Sequence, residues 1–179
     1  MMSSLDYILE AVRKAVSSVD AGTTDKFIDL VVGSRKIFVF GVGRSGLSGQ
    51  FFCVRLVQLG LDVHFIGDMT TPVIEKGDLT ILISNTGKTA SAVSTANIAG
   101  RIGSKVVSVT ANADSNLANA SDMVICLPIP KDRERAPNAP LGTVFEESAN
   151  LFFDSVVPMI MKRLGMTESD MRKRHAIWV

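Results

Sequence analysis

The sequence predicts an α/β fold, a three-layer αβα sandwich around a five-stranded parallel β-sheet. Strand-like and helix-like segments alternate along most of the chain, and the strands are apolar throughout rather than at every second residue. Strands of a parallel sheet are covered by helices on both faces, which produces this continuous apolar pattern. The 179 residues, 46% of them apolar, suit one compact unit with a sizeable core. We therefore expect a single domain over residues 1–179.

Two helices are predicted before the first strand. Apolar residues recur at helical spacing over residues 3–19, which indicates an amphipathic helix. A second helix is predicted at about 24–32, where Gly33 would end it. We expect this helical region, 3–33, to pack on the core and on neighbouring subunits, together with the C-terminal helix and tail, 142–179.

The predicted strands are short apolar runs, at residues 36–40, 62–66, 79–84, 105–110 and 123–127. Further helices are predicted at about 46–59, 88–101, 115–119, 142–163 and 167–174. Pro158 should kink the long helix, because proline removes one amide donor. With the flavodoxin-like strand order 2-1-3-4-5, strands 1 and 3 would flank the switch point, where ligands bind in such sheets.

The loop after the third strand reads Ser84-Asn85-Thr86-Gly87-Lys88-Thr89 and offers three hydroxyls at the start of a helix. Free amides, a favourable helix dipole and hydroxyl donors suit a phosphate dianion. Gly87 would let the backbone approach the anion closely, and Lys88 adds a positive charge. The structural alternative is a simple helix cap, for which one hydroxyl would be enough. The sequence therefore predicts a phosphate site in this 84–89 loop.

The turn after the first strand, Gly41-Val42-Gly43-Arg44-Ser45-Gly46, fits the GxGxxG pattern of dinucleotide-binding proteins. That interpretation leaves the second, hydroxyl-rich loop unexplained, and five strands are too few for two βαβαβ halves. The 84–89 loop is not a Walker A loop either, since Leu82 stands where the first glycine belongs. We interpret Gly43, Arg44 and Ser45 as contacts to the same sugar phosphate, although Arg44 would pair equally well with a carboxylate.

Composition argues against several classes of partner. The formal net charge is +1 and aromatic residues make up 6%, which gives no support for nucleic acid or for a membrane surface. Cys53 and Cys126 lie in apolar contexts without a CxxC pattern, as free thiols of a reducing compartment do. The first residues do not have the pattern of a signal peptide. A cytoplasmic protein is the expectation.

The 84–89 loop resembles the S-x-S-G-x-T signature of the sugar isomerase (SIS) domain family, with Thr86 in place of the second serine. The segments 41–46, 139–146 and 172–177 are similar to the 6-phospho-3-hexuloisomerases of that family. The resemblance implies interconversion of D-arabino-hex-3-ulose 6-phosphate and fructose 6-phosphate, a step of the ribulose monophosphate pathway of formaldehyde fixation. It also implies that the enzyme needs no cofactor and no metal, and that it is a homo-oligomer, commonly a tetramer.

Moving a carbonyl from C3 to C2 through an enediol needs a base and a proton donor beside the reacting carbons. Glu146 and Glu147 both lie at the edge of a polar arc on the predicted 142–163 helix, so periodicity does not choose between them. The resemblance assigns the base to Glu146. His175 is the candidate for ring opening or proton relay, in its own or a neighbouring subunit's site, and its alternative is an interface residue.

Other charged residues have structural interpretations. His64 is expected to be structural, and residues 131–135, which alternate in sign, are expected to form a solvated or interface segment. Two other functions fit parts of the sequence, namely a module that senses a sugar phosphate without catalysis and a small dinucleotide-binding oxidoreductase.

Overall fold

The computed structural model describes residues 3–175, and its centre is a parallel sheet of five strands. These are β1 (Ile37–Gly41), β2 (Val63–Phe65), β3 (Leu79–Ile83), β4 (Lys105–Thr110) and β5 (Met123–Cys126), in the order β2-β1-β3-β4-β5. The register pairs Val39 of β1 with Ile81, and Ile81 in turn with Val107 of β4. The predicted strand order is confirmed, and the carboxyl ends of all five strands lie at one edge.

Eight helices surround the sheet in the described part of the chain. They are α1 (Ser4–Ser17), α2 (Ala21–Gly33), α3 (Arg44–Gln58), α4 (Ala90–Ile102), α5 (Asn116–Asn119), α6 (Arg135–Asn138), α7 (Thr143–Leu164) and α8 (Glu168–Lys173). One element differs from the prediction, because the short helix α6 within the proline-rich segment was not expected. Residues 66–78 join β2 to β3 without a helix, and none was predicted there.

The helices form two layers around the sheet. On one face, the aromatic rings of Phe27, Phe52, Phe152 and Phe153 join α2, α3 and α7, and the Phe52 and Phe153 rings stack with centroids 4.3 Å apart. On the other face, a stripe of buried alanines on α4 packs with Leu117 of α5 against the sheet. The three-layer αβα arrangement is thus confirmed.

The N-terminal helix α1 packs outside this sandwich. Its apolar side, with Tyr7, Ala11 and Val12, is buried against Ala139 at the end of α6 and Val144 in the first turn of α7. The helix α7 continues from Thr143 to Leu164 through Pro158. In the described part of the chain, no helix has the length and apolar character needed to span a membrane. Residues 1–2 and 176–179 of the expected domain, including the end of the 172–177 segment, lie outside the described residues.

Candidate functional site

The turn between β1 and α3 brings the helix directly against the strand. A Cβ atom on Gly46 would lie 2.6 Å from the carbonyl oxygen of Gly41, so only glycine fits this contact. Gly43 has a φ of 59°, which a side chain would disfavour. Ser45 is buried in the first turn of α3, whereas Arg44 projects from its start. The GxGxxG pattern therefore serves close packing of α3 and leaves Arg44 at the carboxyl edge of the sheet.

The 84–89 loop is held by its own hydroxyls. The Ser84 and Thr89 hydroxyl oxygens lie 3.0 Å apart, and the Gly87 amide donates to the Ser84 hydroxyl at 3.2 Å. The Lys88 amide donates to the Thr86 hydroxyl, also at 3.2 Å. Gly87 has a φ of 63°, and a Cβ atom there would overlap the side chain of Ser115. The shape of this loop therefore depends on glycine at position 87.

Three helices that begin at this edge, α3, α4 and α7, lack a side-chain cap. Ser3, Asp20, Ser115 and Thr167 cap α1, α2, α5 and α8 with hydrogen bonds to backbone amides. No side-chain cap is found at the starts of α3, α4 and α7, or of the four-residue α6, among the described residues. Uncapped first-turn amides together with the helix dipole make an anion-binding environment.

Glu146 lies between the two loops. Its carboxylate accepts a hydrogen bond from the Nε of Arg44 at 2.5 Å, and Arg44 also reaches the exposed Glu147 at 3.8 Å. Glu146 is 8% exposed. The hydrogen bond to Glu146 and the charge of that carboxylate raise the pKa of Arg44. The structure thus distinguishes the two glutamates that sequence periodicity did not, since Glu146 is buried at the site and Glu147 is at its rim.

Gly142 brings Glu146 and the 84–89 loop together. A Cβ atom on Gly142 would lie 2.5 Å from a carboxylate oxygen of Glu146 and 3.4 Å from the Asn85 amide nitrogen. The start of α7 therefore fills the switch point between β1 and β3, and residues 102 positions apart in the chain, Arg44 and Glu146, meet there.

Two cavities open on either side of this meeting point. The smaller, of about 290 Å³, contains the Arg44–Glu146 pair and is bordered by Leu47 and Phe51 of α3. The larger, of about 700 Å³, lies at the carboxyl ends of β3, β4 and β5. We call the larger one the cationic cavity, because its wall contains Lys88, Lys131 and Arg135 beside Asn85, Thr86 and Asn112.

Lys131 and Arg135 were not identified as site residues from the sequence. Their alternating charges suggested a solvated segment, whereas the structure places both side chains on the cationic cavity. Asp132, between them, accepts hydrogen bonds from the Tyr7 hydroxyl at 2.9 and 3.1 Å. Their position in the chain, directly after the last strand of a parallel sheet, is the signal that would have placed them at the ligand edge.

The two histidines lie away from this edge. His175 lies in a crevice with Arg55 and Gln58 at the C-terminal end of α3. The helix α3 spans about 20 Å from its first residue to its last at 1.5 Å per residue, so one chain does not bring His175 to Arg44. His64 contacts Asp62 at 2.8 Å and packs on Phe38, with ring centroids 5.5 Å apart.

Residues 3–175 contain no group of three or more histidine, cysteine, aspartate or glutamate side chains arranged to hold a metal ion. Cys53 and Cys126 are free thiols, and each is partly exposed.

Comparison with known proteins gives a consistent family. A family model described as the SIS domain matches residues 30–142. A 3-hexulose-6-phosphate isomerase of Methanocaldococcus jannaschii is 42% identical over 84% of this chain and 81% of that protein. One of the same name from Bacillus subtilis is 31% identical over 98% of both chains.

A solved structure supports the same family. It is that of a hypothetical protein from Methanococcus jannaschii, for which a molecular function of 3-hexulose-6-phosphate isomerase was inferred. Its TM-score is 0.85 at 37% identity, over 96% of this chain and 98% of that one. The chain therefore belongs to the SIS domain family, in the group that contains the 3-hexulose-6-phosphate isomerases.

Proposed function

We propose that this protein is a sugar-phosphate isomerase that interconverts D-arabino-hex-3-ulose 6-phosphate and fructose 6-phosphate. The observation that carries the proposal is the buried carboxylate of Glu146, held by Arg44 between the turn after β1 and the hydroxyl-rich loop after β3. The relatives named 3-hexulose-6-phosphate isomerase, which align over most of the chain, support the choice of substrate.

The 84–89 loop binds the phosphate in this proposal. The uncapped start of α4 offers its first amides, and Thr86 and Lys88 face the cationic cavity beside them. Ser84, Asn85, Gly87 and Thr89 shape the loop, and Gly43 and Ser45 shape the opposite turn. An anion at a helix start is stabilised by the dipole and by direct hydrogen bonds from the amides.

Glu146 acts as the base. It takes the proton from C2 of the 3-ketose, the electrons of that C–H bond form the C2–C3 double bond, and the C3 carbonyl oxygen gains negative charge. Protonation of that oxygen gives the enediol, and return of a proton to C3 with loss of the hydroxyl proton at C2 leaves the carbonyl at C2. The Arg44 guanidinium, beside the carboxylate, stabilises the charge on the enediolate oxygens.

A homo-oligomer completes this proposal. Leu47, Phe51 and Val54 project from one side of α3 and are 63%, 42% and 56% exposed. Apolar side chains grouped beside a site favour a subunit contact. Because His175 lies at the far end of α3 in its own chain, we propose that it acts in the site of a neighbouring subunit.

The substitution Glu146→Gln tests the assignment of the base. We expect kcat to fall by about 10²- to 10⁴-fold, the usual effect of removing a general base. Glu147→Gln is the matched control and should keep kcat within about threefold, because Glu147 is half exposed at the rim. A correctly folded E146Q enzyme with wild-type turnover contradicts the assignment. Turnover of arabinose 5-phosphate in place of the hexulose phosphate contradicts the proposed substrate.

A further inference from the structure

The cationic cavity has a second wall that faces the 84–89 loop. We propose that Lys131 and Arg135, on this second wall, bind the phosphate group of the substrate and select phosphorylated sugars. The identity of the bound sugar rests on the proposed function, whereas the anion site rests on the geometry below.

The position of the cavity is suited to one end of a sugar phosphate. Loops after three adjacent strands surround it, with Asn85 and Thr86 after β3, Asn112 after β4, and Lys131 and Arg135 after β5. Its volume of about 700 Å³ lies within the range of small-molecule sites, roughly 300–1,000 Å³. Asn85 contributes to this cavity and also lies beside Gly142, so the cavity is adjacent to Glu146.

The charge of the cavity distinguishes it from four other cavities of the described chain. Its wall contains Lys88, Lys131 and Arg135, and no aspartate or glutamate lines it. Acidic residues line the other four, such as Glu146 in the smaller cavity and Glu10 in the groove beside α1. None of the three cations forms an ion pair with a carboxylate of residues 3–175. Like charges gathered around one cavity repel each other until an anion is bound.

The wall is held in place before any ligand arrives. Asp132 accepts from the Tyr7 hydroxyl and from the Arg135 amide at 2.9 Å. The Arg135 guanidinium donates to the carbonyl of Leu141 at 3.0 Å, and Leu141 has a φ of 55°. A non-glycine residue in this left-handed region persists only where its surroundings fix it. The remaining N–H groups of Arg135 are available to an oxyanion in a fixed fork.

These contacts give the two cations different roles. Arg135 is partly buried and tied to Leu141, so it presents a preorganised donor set. Lys131 is exposed and forms no hydrogen bond through its ammonium group to the described residues, so it acts as a mobile point charge. An unphosphorylated sugar would leave both charges uncompensated, which selects against it.

The experiment uses Lys131→Gln and Arg135→Gln in the full-length protein, with Arg133→Gln as the matched control. Arg133 lies in the same segment but does not line the cavity. We expect KM for the hexulose phosphate to rise about three- to tenfold in each of the first two variants, with kcat within about twofold. The KM of R133Q should be unchanged. Lys131→Arg should keep the wild-type KM. Added NaCl should raise the KM of the wild type, and it should raise the KM of K131Q less.

Thermal stabilisation by fructose 6-phosphate gives a readout that does not need turnover. We expect a smaller shift in melting temperature for K131Q and R135Q than for R133Q. One outcome is that the wild-type protein binds fructose 6-phosphate, with smaller melting-temperature shifts in K131Q and R135Q, and yet fails to isomerise the hexulose phosphate. In that case the proposed reaction is wrong and the phosphate site stands. Unchanged KM and unchanged stabilisation in both variants would overturn the inference. So would inorganic phosphate that stabilises the protein without competing with the sugar phosphate, because it would mark a separate anion site.

Discussion

At the scale of single residues, Gly142 decides where the Glu146 carboxylate lies. Because a Cβ atom on Gly142 would stand 2.5 Å from that carboxylate, Gly142→Ala must push it away from Arg44. We expect kcat to fall about 10- to 100-fold, since a misplacement of about 1 Å at a reacting group has effects of this size. Steady-state kinetics on the folded variant, with its stability measured in parallel, would check this.

A matched control for this substitution is available in α4. A Cβ atom on Gly100 would meet only the side chain of Val106, at 4.0 Å. Gly100→Ala should therefore keep wild-type kcat and raise the free energy of unfolding by about 0.5–1 kcal/mol, because alanine is the better helix former. Wild-type kcat in G142A would show that the carboxylate position is not set by Gly142.

The sequence predicted those site residues that are neighbours in the chain, but it did not predict contacts between residues that are far apart in the chain. The hydroxyls and the glycine of the 84–89 loop are neighbours in sequence, so a local pattern was enough to suggest an anion site. Arg44 and Glu146 are 102 residues apart, and no local pattern pairs them. Lys131 and Arg135 carried a charge pattern typical of exposed segments, and only the tertiary structure places them on a cavity.

At the scale of elements, α1 holds the segment that carries Lys131 and Arg135. The Tyr7 hydroxyl donates to Asp132, and the Ser4 hydroxyl donates to Asn138 at 3.0 Å. Burial of the ring and the hydrogen bond to Asp132 raise the pKa of Tyr7 to about 12. The helix α1 thus supports the wall of the cationic cavity from behind, although none of its residues lines that cavity.

The raised pKa has a consequence for stability at alkaline pH. The unfolded tyrosine titrates near pH ~10, below the folded value, so the contribution of Tyr7 is fully present below about pH 10 and is lost as the pH rises towards about 12. Tyr7→Phe should destabilise the protein by about 1 kcal/mol at neutral pH. The difference in the free energy of unfolding between the wild type and Y7F should decrease as the pH rises from about 10 to about 12.

Tyr7 is the only tyrosine in the chain, so the ultraviolet absorbance of its phenolate reports its ionisation directly. Denaturant unfolding of the wild type and of Y7F at several pH values supplies the stability difference. A phenolate that forms with a midpoint near pH ~10 in the folded protein would contradict the prediction.

The boundaries of the elements were predicted where capping signals were recognised. The helix α2 begins at Ala21 rather than at about 24, because Asp20 caps it by accepting from the Thr23 amide at 2.9 Å. The helix α6 lies among prolines, where helical periodicity is too short to detect. The central strands β1, β3 and β4, in contrast, were found because burial on both faces leaves them mostly apolar.

At the scale of the whole molecule, we proposed that His175 acts in the site of a neighbouring subunit, and this proposal has a testable consequence. The fold and its strand order were predictable from the alternation of elements, but subunit contacts leave no such pattern. In this proposal each site combines Glu146 of one subunit with His175 of its neighbour. An oligomer that mixes E146Q and H175A chains can therefore contain sites with both residues intact. Each variant alone should be nearly inactive.

Mixing the two variants tests this arrangement. Random exchange of subunits should give about a quarter of the sites with both groups intact, and activity should recover to that level. Native mass spectrometry would verify that mixed oligomers have formed, and wild-type chains carried through the same exchange are the control. An H175A variant that is active by itself would place His175 outside the reaction. Two inactive variants whose mixed oligomers recover no activity would place His175 within its own chain's site.

The docking of α1 also has a consequence for the order in which a newly made chain folds. Tyr7, Ala11 and Val12 are synthesised long before their packing partners Ala139 and Val144, which follow the whole sheet in the chain. The apolar side of α1 therefore stays exposed until these partners have been synthesised. Glu146 is synthesised directly after Val144, so the segment that covers α1 is also the one that brings the carboxylate to the site.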